Sequence, residues 1–103
     1  MKEQKQIPEL MKQAVHEIDP TAEVYLFGSR ARADFDSESD WDFLLLTDSI
    51  PDEKYKNTIR ERILDFELET NQTISVIYRN KTRWNELEIT PLYQNIKVEG
   101  IQL

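Results

Sequence analysis

The sequence predicts a single α/β domain of the α+β type, in which a small mixed sheet of three or more strands packs against helices. Two observations lead to this prediction. Apolar residues recur at helical spacing near the start and again in the middle of the chain. Three short runs rich in β-branched and aromatic residues alternate with these helical segments. A chain of 103 residues is long enough for one modest two-layer core, so residues 1–103 are expected to form one domain.

The first third of the chain predicts a helix, a strand and a short helix. Pro8 suits a first helical turn, and the apolar stripe after it predicts a helix over residues 8–18. The run 23–27 is β-branched and aromatic, which predicts a strand that ends at Gly28. Ser29 is a typical helix-capping residue, so a short helix is expected to follow the glycine.

The remainder of the chain predicts two more strands and two more helices. The second strand, over about 40–46, is almost entirely apolar past its first residues, so both of its faces should be covered. A helix is expected over about 52–68, and a third strand over 73–78. A last short helix should begin at Thr90 and end at Gly100.

Composition excludes several classes of function. The chain has no cysteine and one histidine, His16, so thiol chemistry and an ordinary zinc site are excluded and any metal should be hard and bound by oxygen. A net charge of −7 argues against a nucleic-acid polymer as partner. No apolar run is long enough to span a bilayer and no secretory signal is evident, so a cytoplasmic protein without membrane contact is expected.

The residues most indicative of chemistry are a Gly-Ser turn and an Asp-x-Asp pair ten residues further on. Gly28 and Ser29 follow the first strand, and a small-residue turn at a helix start presents backbone N–H groups to phosphate. Asp40 and Asp42 alternate along a strand, so their carboxylates share one face and can hold a divalent metal against that phosphate. Arg30 could pair with the phosphate or with the nearby acids.

The region around this pair is strongly acidic. Eight acids and no lysine or arginine lie between residues 34 and 53, which favours a bound cation. Asp34, Asp36 and Glu38 are expected in a solvated loop. Asp42 differs because it begins a buried strand, where an unpaired charge is costly, so a metal or an arginine should face it. A calcium loop and a P-loop both fail, because their required glycine, glutamate and lysine positions are not matched.

These residues give the chain a resemblance to the minimal nucleotidyltransferases of the DNA polymerase β-like superfamily. The resemblance implies that a nucleoside monophosphate, usually AMP from ATP, is transferred to a hydroxyl acceptor with Mg²⁺ present. It implies that Gly28 and Ser29, with Arg30, bind the nucleotide. It further implies that Asp40 and Asp42 are both the catalytic residues and the metal ligands.

One feature departs from that resemblance. The family commonly supplies a third carboxylate from the next core strand, where this chain has Ser75. Glu67 or Glu69 could reach the site instead, or no residue replaces it. Small members of the family often act as antitoxins beside an all-helical HEPN partner. Two alternatives therefore stay open: an active enzyme whose hydroxyl acceptor could belong to a protein, or a weak or inactive module that binds a helical partner.

Overall fold

The computed structural model describes residues 2–32 and 39–103, with side chains from residue 7 onward. Asp34, Asp36 and Glu38 lie outside these residues. The first half of the chain forms α1 (Lys2–Ile18), β1 (Glu23–Phe27), α2 (Ser29–Arg32) and β2 (Trp41–Thr47). The second half forms α3 (Glu53–Thr70), β3 (Ile74–Asn80), α4 (Lys81–Asn85), α5 (Pro91–Glu99) and β4 (Ile101–Gln102).

The four strands form one mixed sheet in the order β3-β2-β1-β4. β1 is antiparallel to β2 and to β4, whereas β2 and β3 are parallel. The mixed α/β fold predicted from the sequence is therefore confirmed. Asp42 lies on the inner strand β2, and Asp40 comes directly before the first residue of that strand.

Helices cover both faces of β2, as its apolar sequence predicts. Trp41, Phe43 and Leu45 pack with residues of α1 and α3 on one face. Leu44 and Leu46 pack with Trp84 and Ile96, which belong to α4 and α5, on the other face. Side chains alternate along a strand, so Asp42 points to the face that α5 covers.

The first helix begins earlier than the sequence predicts. α1 starts at Lys2, and Pro8 lies inside it. The segment before Pro8 has no apolar periodicity to mark it, but its lysine, glutamate and glutamine residues are good helix formers. Pro8 therefore does not mark the start of the helix.

Two short elements have no counterpart in the predicted order. α4 follows β3 directly, and the Asn80 side chain caps it by accepting a hydrogen bond from the Arg83 N–H at 3.2 Å. β4 has two residues, too few to show an alternating pattern. β4 is extended through its pairing with β1. No helix in the described ranges is long and apolar enough to cross a membrane.

Candidate active site

The Gly-Ser turn sits at the junction between β1 and α2. Gly28 has φ +81°, a left-handed conformation that side chains rarely adopt. Its carbonyl oxygen accepts hydrogen bonds from the N–H groups of Ala31 and Arg32, which starts α2. A Cβ atom on Gly28 would lie 2.4 Å from Oδ2 of Asp42. The turn and the carboxylate are therefore packed against each other as closely as a glycine allows.

Asp42 is placed beside this turn by the pairing of β1 with β2. Its antiparallel partner is Phe27, the residue before the glycine. Burial raises the pKa of the half-buried Asp42 carboxyl, and nearby Asp40 raises it further, while Arg32 lowers it. The ionised carboxylate is thus held where its charge is disfavoured, and a bound cation would relieve that cost.

The two aspartates fit a magnesium ion that also binds phosphate. Asp40 is exposed and lies two residues before Asp42, whose pKa its charge raises. Within residues 2–32 and 39–103, no group of three or more histidine, aspartate or glutamate side chains is placed to hold a metal. Mg²⁺ is commonly bound by one or two carboxylates together with phosphate oxygens, so a pair is sufficient.

Arg30 is buried and is bound by other groups of the chain. Its side chain is 5% exposed, and its Nε and Nη2 atoms donate to the Ser39 carbonyl oxygen at 3.2 and 2.9 Å. Nη2 also donates to Oε1 of Gln72 at 3.1 Å, and the guanidinium lies 4.5 Å from the Trp41 ring centroid. These contacts tie the segment before β2 to the segment before β3. They favour a structural role for Arg30, whose contact with nucleotide stays a prediction.

An acid that the sequence analysis missed also contacts the turn. Oε2 of Glu99, at the end of α5, accepts a hydrogen bond from the Gly28 N–H at 3.0 Å. The same oxygen lies 3.2 Å from Nη1 of Arg32. Glu99 and Gly28 are 71 positions apart in the chain, so no local pattern indicates this contact.

Ser75 lies where the third carboxylate was expected. It pairs with Asp42 in the parallel register of β2 and β3, and its side chain is exposed. Glu67 accepts a hydrogen bond from the Ile74 N–H at 2.8 Å, on the helix that covers the opposite face of the sheet. Glu69 is exposed on the same helix. Neither glutamate lies on the Asp42 face.

Residues 8–101 match the family model of the nucleotidyltransferase domain. The match covers most of the chain, which therefore belongs to this family. Together with the fold, it confirms the resemblance to the minimal nucleotidyltransferases of the polymerase β-like superfamily.

One curated relative is the "Putative protein adenylyltransferase MJ0141" of Methanocaldococcus jannaschii. It is 41% identical over 64 residues, which make up 62% of this chain. The chain spans 65% of the length of that relative.

Solved structures share the fold at lower identity. A Sulfolobus solfataricus structure aligns over 97% of this chain and 81% of its own, with a TM-score of 0.55 and 22% identity. A mutant of the toxin-antitoxin MntA-HpeT aligns over 93% of this chain and 70% of its own, with a TM-score of 0.63 and 18% identity. A toxin-antitoxin structure with AMP-PNP aligns over 96% and 70%, with a TM-score of 0.60 and 19% identity.

Proposed function

We propose that this nucleotidyltransferase moves AMP from ATP to a hydroxyl group of a protein, with Mg²⁺ as the metal. The observation that supports the proposal most directly is the contact between the Gly-Ser turn and Asp42. A phosphate group bound at the turn would lie against the carboxylate that is suited to hold the metal. The relative's name, which describes a protein adenylyltransferase, supports AMP as the transferred group and a protein as the acceptor.

The turn offers phosphate contacts of two kinds. Ser29 begins α2, and we expect its backbone N–H to donate to phosphate oxygens, whereas the N–H groups of Ala31 and Arg32 donate to the Gly28 carbonyl oxygen. The Ser29 hydroxyl adds a second donor. Gly28 allows the close approach, because any side chain there would meet Asp42.

Asp40 and Asp42 would hold Mg²⁺, which when bound neutralises the charge that develops on the phosphate oxygens. In the transfer, a bond forms between the acceptor oxygen and the α-phosphorus of ATP. The bond from that phosphorus to the bridging oxygen breaks, and pyrophosphate leaves. The rest of the chain contributes to the reaction by holding the α-phosphate of the nucleotide in line with the acceptor oxygen.

The test begins with binding. Calorimetric titration of ATP with Mg²⁺ into the protein should show binding that disappears in Asp40→Asn/Asp42→Asn. The matched control, Asp65→Asn/Glu88→Gln, neutralises two exposed acids away from the site and should bind as the parent does. If the parent does not bind ATP, or if both double variants bind equally, the proposed site is wrong.

Transfer is tested next, with ATP labelled at the α-phosphate. Label should appear on an acceptor protein, and it should be lost with Asp42→Asn and retained with the control variant. Label on protein from ATP carrying the γ-phosphate label instead would indicate phosphorylation and contradict AMP transfer.

A second candidate function is a binding module with little or no catalysis, such as an antitoxin that binds a helical partner. Ser75 in place of an acid opposite Asp42 favours it. The toxin-antitoxin neighbours in fold support the partner class. Under this alternative, Asp40→Asn/Asp42→Asn keeps both partner binding and antitoxin effect, whereas the enzyme proposal requires that the effect be lost.

A further inference from the structure

β3 is an edge strand with an apolar groove beside it. Within the described ranges, β3 pairs with β2 and has no strand on its other side. A groove of about 590 Å³ runs between this edge and α3. We call it the α3–β3 groove, and its lining includes Arg60, Glu61, Leu64, Glu67 and Tyr78.

The edge lacks the usual features that keep strands from pairing with other chains. β3 has seven residues, with no proline or lysine and with Arg79 as its one charged residue. Natural edge strands are usually short or interrupted by charge and proline. Beside the groove, Leu64 is 53% exposed and Leu68 is 75% exposed on α3. A seven-residue edge with a single charged residue, next to exposed leucines, is typical of a surface that another chain covers.

The two ends of the groove carry opposite charge. At one end, Nζ of Lys56 lies 5.9 Å from the Tyr78 ring centroid. Arg60 adds a second positive charge near Tyr78. Its charge lowers the pKa of the Tyr78 phenol, while burial raises that pKa. At the other end, the Glu67 carboxylate receives the Ile74 N–H. Glu61 also lines the groove, on the part of α3 between the two ends.

We infer that the α3–β3 groove is an interface between two copies of this chain. A two-fold axis perpendicular to the sheet would place β3 antiparallel to β3 of the second copy and α3 antiparallel to its α3. The cationic end, at Lys56 and Arg60, would then face the anionic end at Glu67 of the second copy. The same operation would join the two sheets and bury Leu64 of both copies, as a self-complementary interface requires.

The oligomeric state in solution tests this inference. Sedimentation velocity of the purified protein, from low micromolar to sub-millimolar concentration, should show a reversible dimer. Leu64→Glu should raise the dissociation constant by about tenfold or more, because it places a charge in the buried centre of the contact. Ile89→Glu is the matched control, since Ile89 is 91% exposed and lies outside the groove. It should dimerise as the parent does.

Two further measurements separate this arrangement from other dimers. Arg60→Glu should weaken the dimer, because it would place like charges together at both ends of the interface. Amide hydrogen exchange of the β3 N–H groups in the parent should slow as concentration rises. A monomer at every concentration, or equal effects of Leu64→Glu and Ile89→Glu, would overturn the inference. So would β3 exchange that does not change with concentration.

Discussion

Gly28 combines a strained backbone angle with a very close neighbour. With φ at +81° and Asp42 Oδ2 at 2.4 Å from a would-be Cβ, Gly28→Ala should lower the free energy of unfolding. The backbone angle alone should cost about 1–2 kcal/mol, and displacement of Asp42 should add to it. Urea denaturation measures the loss.

A double-mutant cycle separates these two causes. An Asp42→Ala background removes the Oδ2 contact and leaves the Cβ of residue 42 at 3.3 Å from the added Cβ, whereas the cost of the backbone angle remains. Gly28→Ala should therefore be less destabilising there than in the parent. An equal loss in both backgrounds would show that the contact with Asp42 does not matter.

The charge on Asp42 should make stability depend on pH. Burial and the neighbouring Asp40 raise the pKa of Asp42 in the folded chain above its value in the unfolded chain. The protonated form is therefore the one that folding favours. The stability from this group is complete below the unfolded pKa, near 3.9, and is lost as pH rises through the higher folded pKa.

Asp42→Asn removes this titration. In metal-free buffer at pH 7 the variant should be more stable than the parent, by less than about 1 kcal/mol because solvent screens the half-exposed group. The difference should shrink as pH falls towards 4. Thermal unfolding across pH 4 to 7 with chelator present measures it, and a difference that grows at low pH would contradict the assignment.

At the scale of elements, the turn from α3 into β3 depends on Asn71. Asn71 closes α3 in the left-handed conformation at φ 56°, and its N–H donates to the Glu67 carbonyl oxygen at 2.9 Å. Asn71→Ala should lower the free energy of unfolding by roughly 0.5–1 kcal/mol, because alanine tolerates this conformation less well than asparagine. Asn71→Gly is the control, and it should change stability by a few tenths of a kcal/mol. Chemical denaturation of both variants gives the comparison.

The local sequence pattern was sufficient to predict the inner strand β1 and the long helix α3. The run 23–27 was predicted as a strand with the same bounds that β1 has, and α3 was predicted to within two residues at each end. The predicted start of α1 at Pro8 is wrong, because this proline lies inside the helix although proline prefers the first helical turn. β4 could not be predicted, because its two residues are extended only through their pairing with β1.

The candidate site was predictable only in part, because some of its residues are brought together by tertiary packing and not by their spacing in the sequence. The spacing of Gly28 and Asp42 is a sequence feature, and the structure brings the two residues into contact. The contacts of the Arg30 side chain with Ser39 and Gln72 were not predictable, since only the folded chain brings these residues together, and its contact with nucleotide stays a prediction. Glu99 was missed altogether, since only the packed helix α5 brings it to the turn.

At the scale of the whole molecule, the net charge of −7 should keep nucleic-acid polymers away. Affinity for such polymers comes mainly from lysine and arginine contacts to phosphate, and this chain has 13 basic against 20 acidic residues. Electrophoretic mobility-shift assays at low salt should show no retardation of single-stranded or duplex oligonucleotides. Retardation that weakens as salt is added would contradict the prediction, and a basic protein of similar size serves as the positive control.

The two tryptophans pack on opposite faces of the sheet, and each can serve as an intrinsic fluorescence probe. Trp41 stands between Asp40 and Asp42 in the chain, with its indole N–H on Gln72 and the Arg30 guanidinium over its ring. Trp84 is buried against Tyr93, with ring centroids 5.0 Å apart, on the other face, to which Asp42 also points. With Trp84 replaced by phenylalanine, the remaining emission would come from the residue between the two aspartates. Events at the carboxylates could then be followed in time without an added dye.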